Sequence, residues 1–271
     1  MVFRGESLRL PIGLVCTDFD GTLFDGKPDA ESMMAFKNVL DSLRDLHGAR
    51  WAIVTGRPLS DLLPMLGLFM TYRLFPDLVV VADALIFKRN ILGKFKPFHF
   101  WNAKVALRRH ALVRKHAAHV TGWRDHLMRT FPGVRDRSGE PVDIWLDFQD
   151  EAVAESAENE LLSLLGKSAH RFLILRWGTE LFLAPAAGTK GEAVERLAKH
   201  CRVPMRHVFA VGDGPNDLPM LREGCVGMPA CVGNASERVK QAVGEGGGYL
   251  ARGHCLEGVL EALWFYAGVT G

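Results

Sequence analysis

The sequence predicts an α/β fold, a doubly wound and mainly parallel sheet interrupted by an inserted α+β unit. Two observations predict the architecture. Short apolar runs alternate with amphipathic segments up to about residue 83 and again from about residue 186, the rhythm of βαβ units. Between them the alternation gives way to long helical patterns and hairpin-like strands. A third observation locates the business end: polar stretches stand directly after several apolar runs, where open parallel sheets hold their ligands. The expected division is 1–83 with 186–271 for the sheet domain and 84–185 for the insert, and 271 residues suffice for two cores.

The first element is the apolar run from Ile12, bounded by Pro11 and ending in Asp18 and Asp20. Strand alternation places these two acids on one side of the chain. Gly21 then permits a sharp turn whose backbone N–H groups can face an anion. From Pro28 to His47 apolar residues recur at helical spacing, and Gly48 stops the helix. Arg50 to Val54 is a second strand, followed by Thr55-Gly56-Arg57-Pro58 and a helix over Leu59 to Leu66, with Pro58 suited to its first turn. Leu78 to Ala82, nearly all valine, reads as a strand buried on both faces.

In the insert, two helices are expected, Ala103 to Val120 and Trp123 to Phe131. Next come a strand from Val142 to Phe148, an acidic helix from Asp150 to Leu165, and strands Arg171 to Trp177 and Glu180 to Ala184 joined at Gly178-Thr179. The βα rhythm then returns: a helix over Thr189 to His200, a strand over His207 to Val211 ending in Gly212-Asp213-Gly214-Pro215-Asn216-Asp217, and a helix over Leu218 to Glu223. A strand over Val226 to Met228 and helices over Ser236 to Val243 and Leu256 to Tyr266 complete the domain.

Composition excludes several classes. No apolar run reaches the roughly 20 residues needed to span a bilayer, and the first residues lack the apolar core and cleavage site of a secretory signal. The expected location is the cytoplasm, with no membrane partner. Cys16, Cys201, Cys225, Cys231 and Cys255 form no C-x-x-C pair and are odd in number, which argues for reduced thiols. The net charge of +2 conceals an asymmetry: thirteen Lys/Arg against two acids from Lys88 to Arg137, then eight acids and no Lys/Arg from Ser138 to Glu160. The expected pairing is of those bases with the acidic helix. A nucleic-acid-binding protein using that basic stretch and its aromatics is the non-enzyme alternative. His116 and His119, one helical turn apart, read as a solvated face rather than half a metal site.

Four polar stretches remain: Asp18/Asp20, Thr55-Gly56-Arg57, Lys190 and Asp213/Asp217. Those that follow parallel strands share one sheet edge, so they converge despite their separation in sequence. The chemistry needing these types together is phosphoryl transfer to an aspartate. A carboxylate is a weak nucleophile until a cation holds it and neutralises the incoming phosphate. Asp213 would complete an oxygen-rich Mg²⁺ site with Asp18 and the backbone carbonyl of Asp20. Thr55 can donate to phosphoryl oxygens, and Lys190 supplies positive charge where transition-state charge spreads. An EF-hand loop is excluded because no glycine stands at Leu23 and the twelfth-position glutamate is missing. A receiver domain would end near residue 120 and carry its acids as neighbours.

These stretches, D18-F-D20-G-T22, T55-G-R, K190-G and G212-D-G-P-N-D217, resemble the four motifs of the haloacid dehalogenase superfamily of phosphohydrolases. The resemblance implies that Asp18 is the nucleophile and Asp20 the general acid/base. It implies that Thr55 and Lys190, with Gly21, Thr22, Gly56, Arg57 and Asn216, hold the phosphate, and that Asp213 binds the metal with Asp217 in support. Only 32 residues separate Thr22 from Thr55, whereas 132 separate Arg57 from Lys190. That is similar to the subclass with an α/β cap between the second and third motifs, which includes Cof-type sugar phosphatases and sucrose-phosphate phosphatase. Val232 to Lys240 resembles the family's Asn-Ala stretch, whereas Ala82-Asp83-Ala84 stands where many Cof-like members carry Asn-Gly.

The implied function is a Mg²⁺-dependent phosphomonoesterase, acting as monomer or homodimer on a small phosphorylated substrate. A phosphomutase, or a phosphatase of another small metabolite, is the alternative. A sugar phosphate is the expected substrate. Trp145 lies between Asp143 and Asp147 on the polar face of its strand, an arrangement suited to a hydroxyl-edged ring, with Arg176 as a second contact.

Overall fold

The structure is a computed structural model that describes residues 11–26, 29–139 and 143–268. The chain forms two compact units, Met1–His99 with Thr189–Gly271, and Phe100–Gly188.

The first unit is built on an eight-stranded sheet of order β12-β11-β10-β1-β2-β3-β4-β5. β1 (Leu14–Thr17) is wholly buried at its centre, parallel to β2 (Arg50–Val54) on one side and β10 (Val208–Gly212) on the other. β3 (Leu78–Val81), β11 (Met228–Cys231) and β12 (Tyr249–Leu250) extend the parallel part. Side chains tie these strands together where neither face is wet: the Trp51 indole, fully buried, donates to Thr17 Oγ1 at 3.0 Å.

α1 (Ala30–His47) starts at Asp29, whose carboxylate accepts from the Glu31 and Ser32 N–H groups, and stops at Gly48, φ 63°. Its expected start at Pro28 lies outside the described residues. α1 packs on α8 (Cys255–Ala267), while α5 (Lys190–Cys201) packs on α6 (Leu218–Leu221), which in turn meets α7 (Glu237–Glu245). α2 (Leu59–Thr71) runs five residues past its expected end despite Pro64. Pro64 is at the sixth helical position, so the N–H it lacks would have met the carbonyl of Ser60 in the first turn, and one lost bond does not end an otherwise apolar helix.

Four strands escape the sequence pattern: the two-residue β6 (Arg135–Asp136) and β12, and a pair that extends the core sheet. β4 (Leu85–Arg89) and β5 (Phe95–Pro97) form a hairpin that continues the core sheet antiparallel to β3. The units therefore divide at His99, not after residue 83 as expected from the sequence. The βα rhythm does break at Ala84, but a break in rhythm marks a change of strand direction as readily as a change of domain. β11 likewise begins later than the expected Val226, because the Gly227 N–H donates to Met205 O outside the ladder.

The second unit sets two helices on one face of a four-stranded antiparallel sheet of order β6-β7-β9-β8. α3 (His99–Thr130) is one 32-residue helix rather than the two expected. Gly122 lies in the gap between the two expected helices, but a single glycine costs a helix only about 1 kcal/mol relative to alanine and does not end it. β6 (Arg135–Asp136), β7 (Ile144–Asp147), β8 (Phe172–Trp177) and β9 (Glu180–Pro185) make the sheet, and α4 (Glu151–Leu165) joins α3 against it. Val142, the expected first residue of β7, lies outside the described residues. Val120 and Leu127 of α3, Leu161 and Leu165 of α4, and Ile144, Leu146, Leu181 and Leu183 of the strands form the core.

Candidate active site

Because β1, β2, β3 and β10 run parallel, the residues that follow them emerge at one edge of the sheet. Asp18 follows β1, and its backbone N–H still donates to Val211 O at 2.9 Å, which fixes it against β10. Lys190 opens α5, capped by Thr189, and is fully buried. Its Nζ donates to Asp18 Oδ1 at 2.7 Å and to Asp217 Oδ1 at 2.6 Å. The other oxygen of Asp217 accepts from the Asp213 and Gly214 N–H groups at 2.9 Å each, folding the loop after β10 around it. Gly212 makes this possible, since a Cβ there would stand 2.4 Å from the Asp217 carboxylate.

Asp213 closes the group from the other side, accepting the Thr22 hydroxyl at 2.7 Å. Gly21, φ 71°, lies so close that a Cβ would stand 2.4 Å from Asp213 Oδ2. The Gly21 carbonyl is held in turn by Asn234 Nδ2 at 2.7 Å, while Asn234 Oδ1 accepts the Cys255 N–H at 2.8 Å. Thr55 is buried after β2, its N–H donating to Val80 O and its hydroxyl accepting the Arg57 N–H at 3.1 Å. That leaves the Thr55 O–H free to donate elsewhere.

Asp20 differs from the strand expectation. β1 ends at Thr17, and the chain then turns so that Phe19 O accepts the Leu23 and Phe24 N–H groups. Alternation no longer applies, and Asp20 and Asp18 have different partners. The Asp20 carboxylate takes a two-pronged ion pair from Arg57, Nε and Nη2 each at 2.6 Å. It is not among the clustered carboxylates, which are Asp18, Asp213 and Asp217; the ligand atom expected from Asp20 is its backbone carbonyl.

The electrostatics follow from crowding. Burial, then the neighbouring Asp217 charge, raises the Asp18 carboxyl well above the usual range, against the opposing pull of Lys190. Burial and Asp217 push Asp213 up to about 6, with the Thr22 hydrogen bond working the other way. Burial disfavours the Lys190 ammonium, but Asp18 and Asp217 outweigh it and keep the lysine charged. Three carboxylates therefore share one fixed cation, with an oxygen atom of each within 4.8 Å of those of the others. An all-oxygen donor set with unbalanced negative charge fits a hard divalent cation.

Asn216 sits beside this group, its Nδ2 donating to Asp83 Oδ1 at 3.3 Å. Neither Asp83 nor Asn234 was singled out as a site residue from the sequence; the departure at Ala82-Asp83-Ala84 was the one signal pointing to Asp83. In the second unit the structure does not bring Trp145 and Arg176 together. Trp145 lies across from Phe182, and Phe182 from Leu175, so Arg176 projects from the opposite face of β8 and donates to Glu158 of α4 at 2.9 Å. Trp145 is half-exposed on the open face, its indole donating to Glu180 at 3.3 Å, with Arg137 bridging Glu180 and Asp147.

The basic stretch meets acids from several elements: His126 reaches Glu160 of α4 at 2.8 Å, whereas Arg124 pairs with Asp136 and Arg109 with Asp143. His116 corrects the expected solvated face. It is buried edge-on against Phe172, and its Nε2 has no hydrogen-bond partner among the described residues.

Residues 130–249 match the model of the haloacid dehalogenase-like hydrolases. Over 54 residues the chain is 41% identical to a phosphoglycolate phosphatase of Methanothrix thermoacetophila, 20% of this chain and 23% of that protein. Over 86 residues it is 35% identical to the phosphatase YwpJ of Bacillus subtilis, 32% of this chain and 26% of that one. The matches thus span about a quarter of these relatives' length. The sucrose-phosphatase of Synechocystis, solved with sucrose and phosphate, has the same fold, with a TM-score of 0.68 at 18% identity over 94% of this chain and 97% of that one. An eight-stranded, parallel-centred sheet with acids gathered at one edge around a buried lysine defines a haloacid dehalogenase-type hydrolase. The chain belongs to that family.

Proposed function

We propose that the protein is a Mg²⁺-dependent phosphomonoesterase that works through an aspartyl-phosphate on Asp18, with a sugar phosphate as substrate. The observation carrying this reading is Lys190, wholly buried and bonded to both Asp18 and Asp217 within a group of three carboxylates. Such a group gives the phosphoryl moiety fixed positive charge beside a carboxylate nucleophile. Asp18, Asp213 and Asp217, with the Asp20 backbone carbonyl, would hold Mg²⁺. When bound, it neutralises negative charge on the phosphoryl group and on the carboxylates around it.

The residues divide the work. Lys190, the Thr55 hydroxyl, the Gly56 N–H, and the neighbouring Gly21, Thr22, Arg57 and Asn216 orient the phosphoryl group. One Asp18 oxygen attacks phosphorus as the ester P–O bond breaks, and Asp20 gives its proton to the departing oxygen. Asp20 then takes a proton from the water that attacks phosphorus, releasing phosphate and restoring Asp18. Arg57 holds Asp20 in place between these roles. The names of the phosphoglycolate phosphatase and the sucrose-phosphatase support a small phosphorylated substrate. We keep Trp145, half-exposed beside Glu180 on the open face of its sheet, as a proposed contact for a sugar ring. We also assign the protein to the cytoplasm; no helix among the described residues is long and apolar enough to cross a membrane.

The test is Asp18→Asn, which keeps the shape and removes the nucleophile. Mg²⁺-dependent hydrolysis of p-nitrophenyl phosphate should fall by about three orders of magnitude or more, and acid-quenched wild type should carry a phosphoryl group on Asp18. Activity retained in that variant would refute the mechanism.

A further inference from the structure

Two consecutive residues other than glycine, Ala82 and Asp83, take positive φ at 47° and 59° where β3 ends. Aspartate tolerates this region better than most residues, yet glycine would hold the turn without strain. The backbone of this turn is fastened to the phosphate-binding loop: the Ala82 N–H donates to Arg57 O at 2.9 Å and the Asp83 N–H to Thr55 O at 3.1 Å. The side chain reaches further. Its oxygens lie 3.5 and 3.6 Å from where a Cβ on Gly56 would stand, and Oδ1 accepts from Asn216 Nδ2. A carboxylate thus stands between the loops after β2 and β10, beside the residues assigned to the phosphoryl group.

We propose that Asp83 is a specificity-determining residue: it accepts a hydrogen bond from a hydroxyl of a neutral, polyhydroxylated leaving group and rejects one that carries a second anionic group. The inference rests on the phosphatase reading of the same site. Among the described residues Asp83 has one counter-charge of note, Lys190, which is already bonded to Asp18 and Asp217. Burial holds its carboxyl above the usual range, so the local cost of negative charge is high before any substrate arrives. A leaving-group hydroxyl can satisfy the second oxygen of Asp83, whereas a carboxylate or second phosphate can donate nothing and adds repulsion. The selection acts on charge, through a residue of the first unit.

A matched pair of esters separates the terms: hydroxyethyl phosphate, with a neutral leaving group, and phosphoglycolate, of the same carbon count with a carboxylate. Asp83→Asn tolerates positive φ and keeps an acceptor for Asn216. The ratio of kcat/KM for phosphoglycolate to that for hydroxyethyl phosphate should rise at least about tenfold in this variant, the scale of a removed like-charge contact. Asp83→Gly, which relieves the turn, should show the same rise and serves if the asparagine variant folds poorly. An unmoved ratio, or equal losses on both esters, overturns the proposal and leaves Asp83 as an anchor for Asn216. Wild type inactive even on p-nitrophenyl phosphate would instead overturn the phosphatase reading, and this inference with it.

Discussion

Replacing Lys190 by methionine tests the electrostatic design of the site without reference to catalysis. The Lys190 and Asp217 side chains are fully buried and that of Asp18 is 8% exposed, so solvent cannot take over when the ammonium is lost. Methionine fills similar volume, which isolates the charge from a cavity effect. Removing one partner of a buried ion pair costs about 3–5 kcal/mol, because the remaining charge is left uncompensated. At about 2–4 °C per kcal/mol for a chain of this size, the metal-free variant should melt about 10 °C below wild type. The deficit should be nearly the same at about 0.1 M and 1 M salt, since ions do not enter to screen a buried pair. Asp217→Asn in the same background removes one of the two stranded charges and should recover part of the loss. Differential scanning fluorimetry with chelator present reads all three. A Lys190→Met protein melting within about 2 °C of wild type would mean that the carboxylates have another buried counter-charge, and the site would have to be rebuilt on that.

Two other outcomes follow from the same structure. Added Mg²⁺ should raise the melting temperature of wild type, as a ligand of the folded state must. It should do so much less in Asp213→Ala, and equal shifts in the two proteins would remove Asp213 from the ligands. In the second unit, burial, with smaller contributions from Arg171, Lys115 and His119, lowers the His116 pKa below its unfolded value of about 6.5. The unfolded chain therefore binds the proton more readily, and stability present above pH 6.5 falls as pH drops below it. His116→Leu should flatten that slope between about pH 7 and 5 in a denaturant titration followed by tryptophan fluorescence, and an unchanged slope would exonerate the histidine.

How much of this was legible depended on whether local pattern or long-range pairing decided the outcome. β1, β2, β3 and β10 are short apolar runs, and a parallel strand buried on both faces writes that composition into the chain. Asp18, Thr55, Asp213 and Lys190 could be found because each stands next to such a run or opens a helix, so locating the elements located the residues. The β4–β5 hairpin was missed for the opposite reason. Leu85–Arg89 and Phe95–Pro97 are short and half-exposed, and only their register against β3 assigns them to the core sheet. Arg176 was placed beside Trp145 by adjacency of strands, but facing side chains are fixed by register, and a shift of one residue sends a side chain to the other face. The Asp20 carboxylate was grouped with Asp18 by carrying strand alternation past the last strand residue, Thr17.

The positions that break local rules gather in one region. Ala82 and Asp83 take backbone conformations that cost L-residues about 1–2 kcal/mol each. Lys190, Asp18 and Asp217 bury charge, and Gly21 and Gly212 leave no room for a Cβ. Through β1, β2, β3 and β10 themselves, apolar runs are buried as their composition requires. A fold can carry such conflicts only where the surrounding packing over-determines the geometry, and here the central strands of the sheet supply that packing. The loops after these strands inherit the rigidity of the ladders from which they emerge, so carboxylates that repel one another are held close. Left to relax, they would separate or take up protons. Held together, they attract cations, and that attraction is what a phosphoryl-transfer site requires before any substrate arrives.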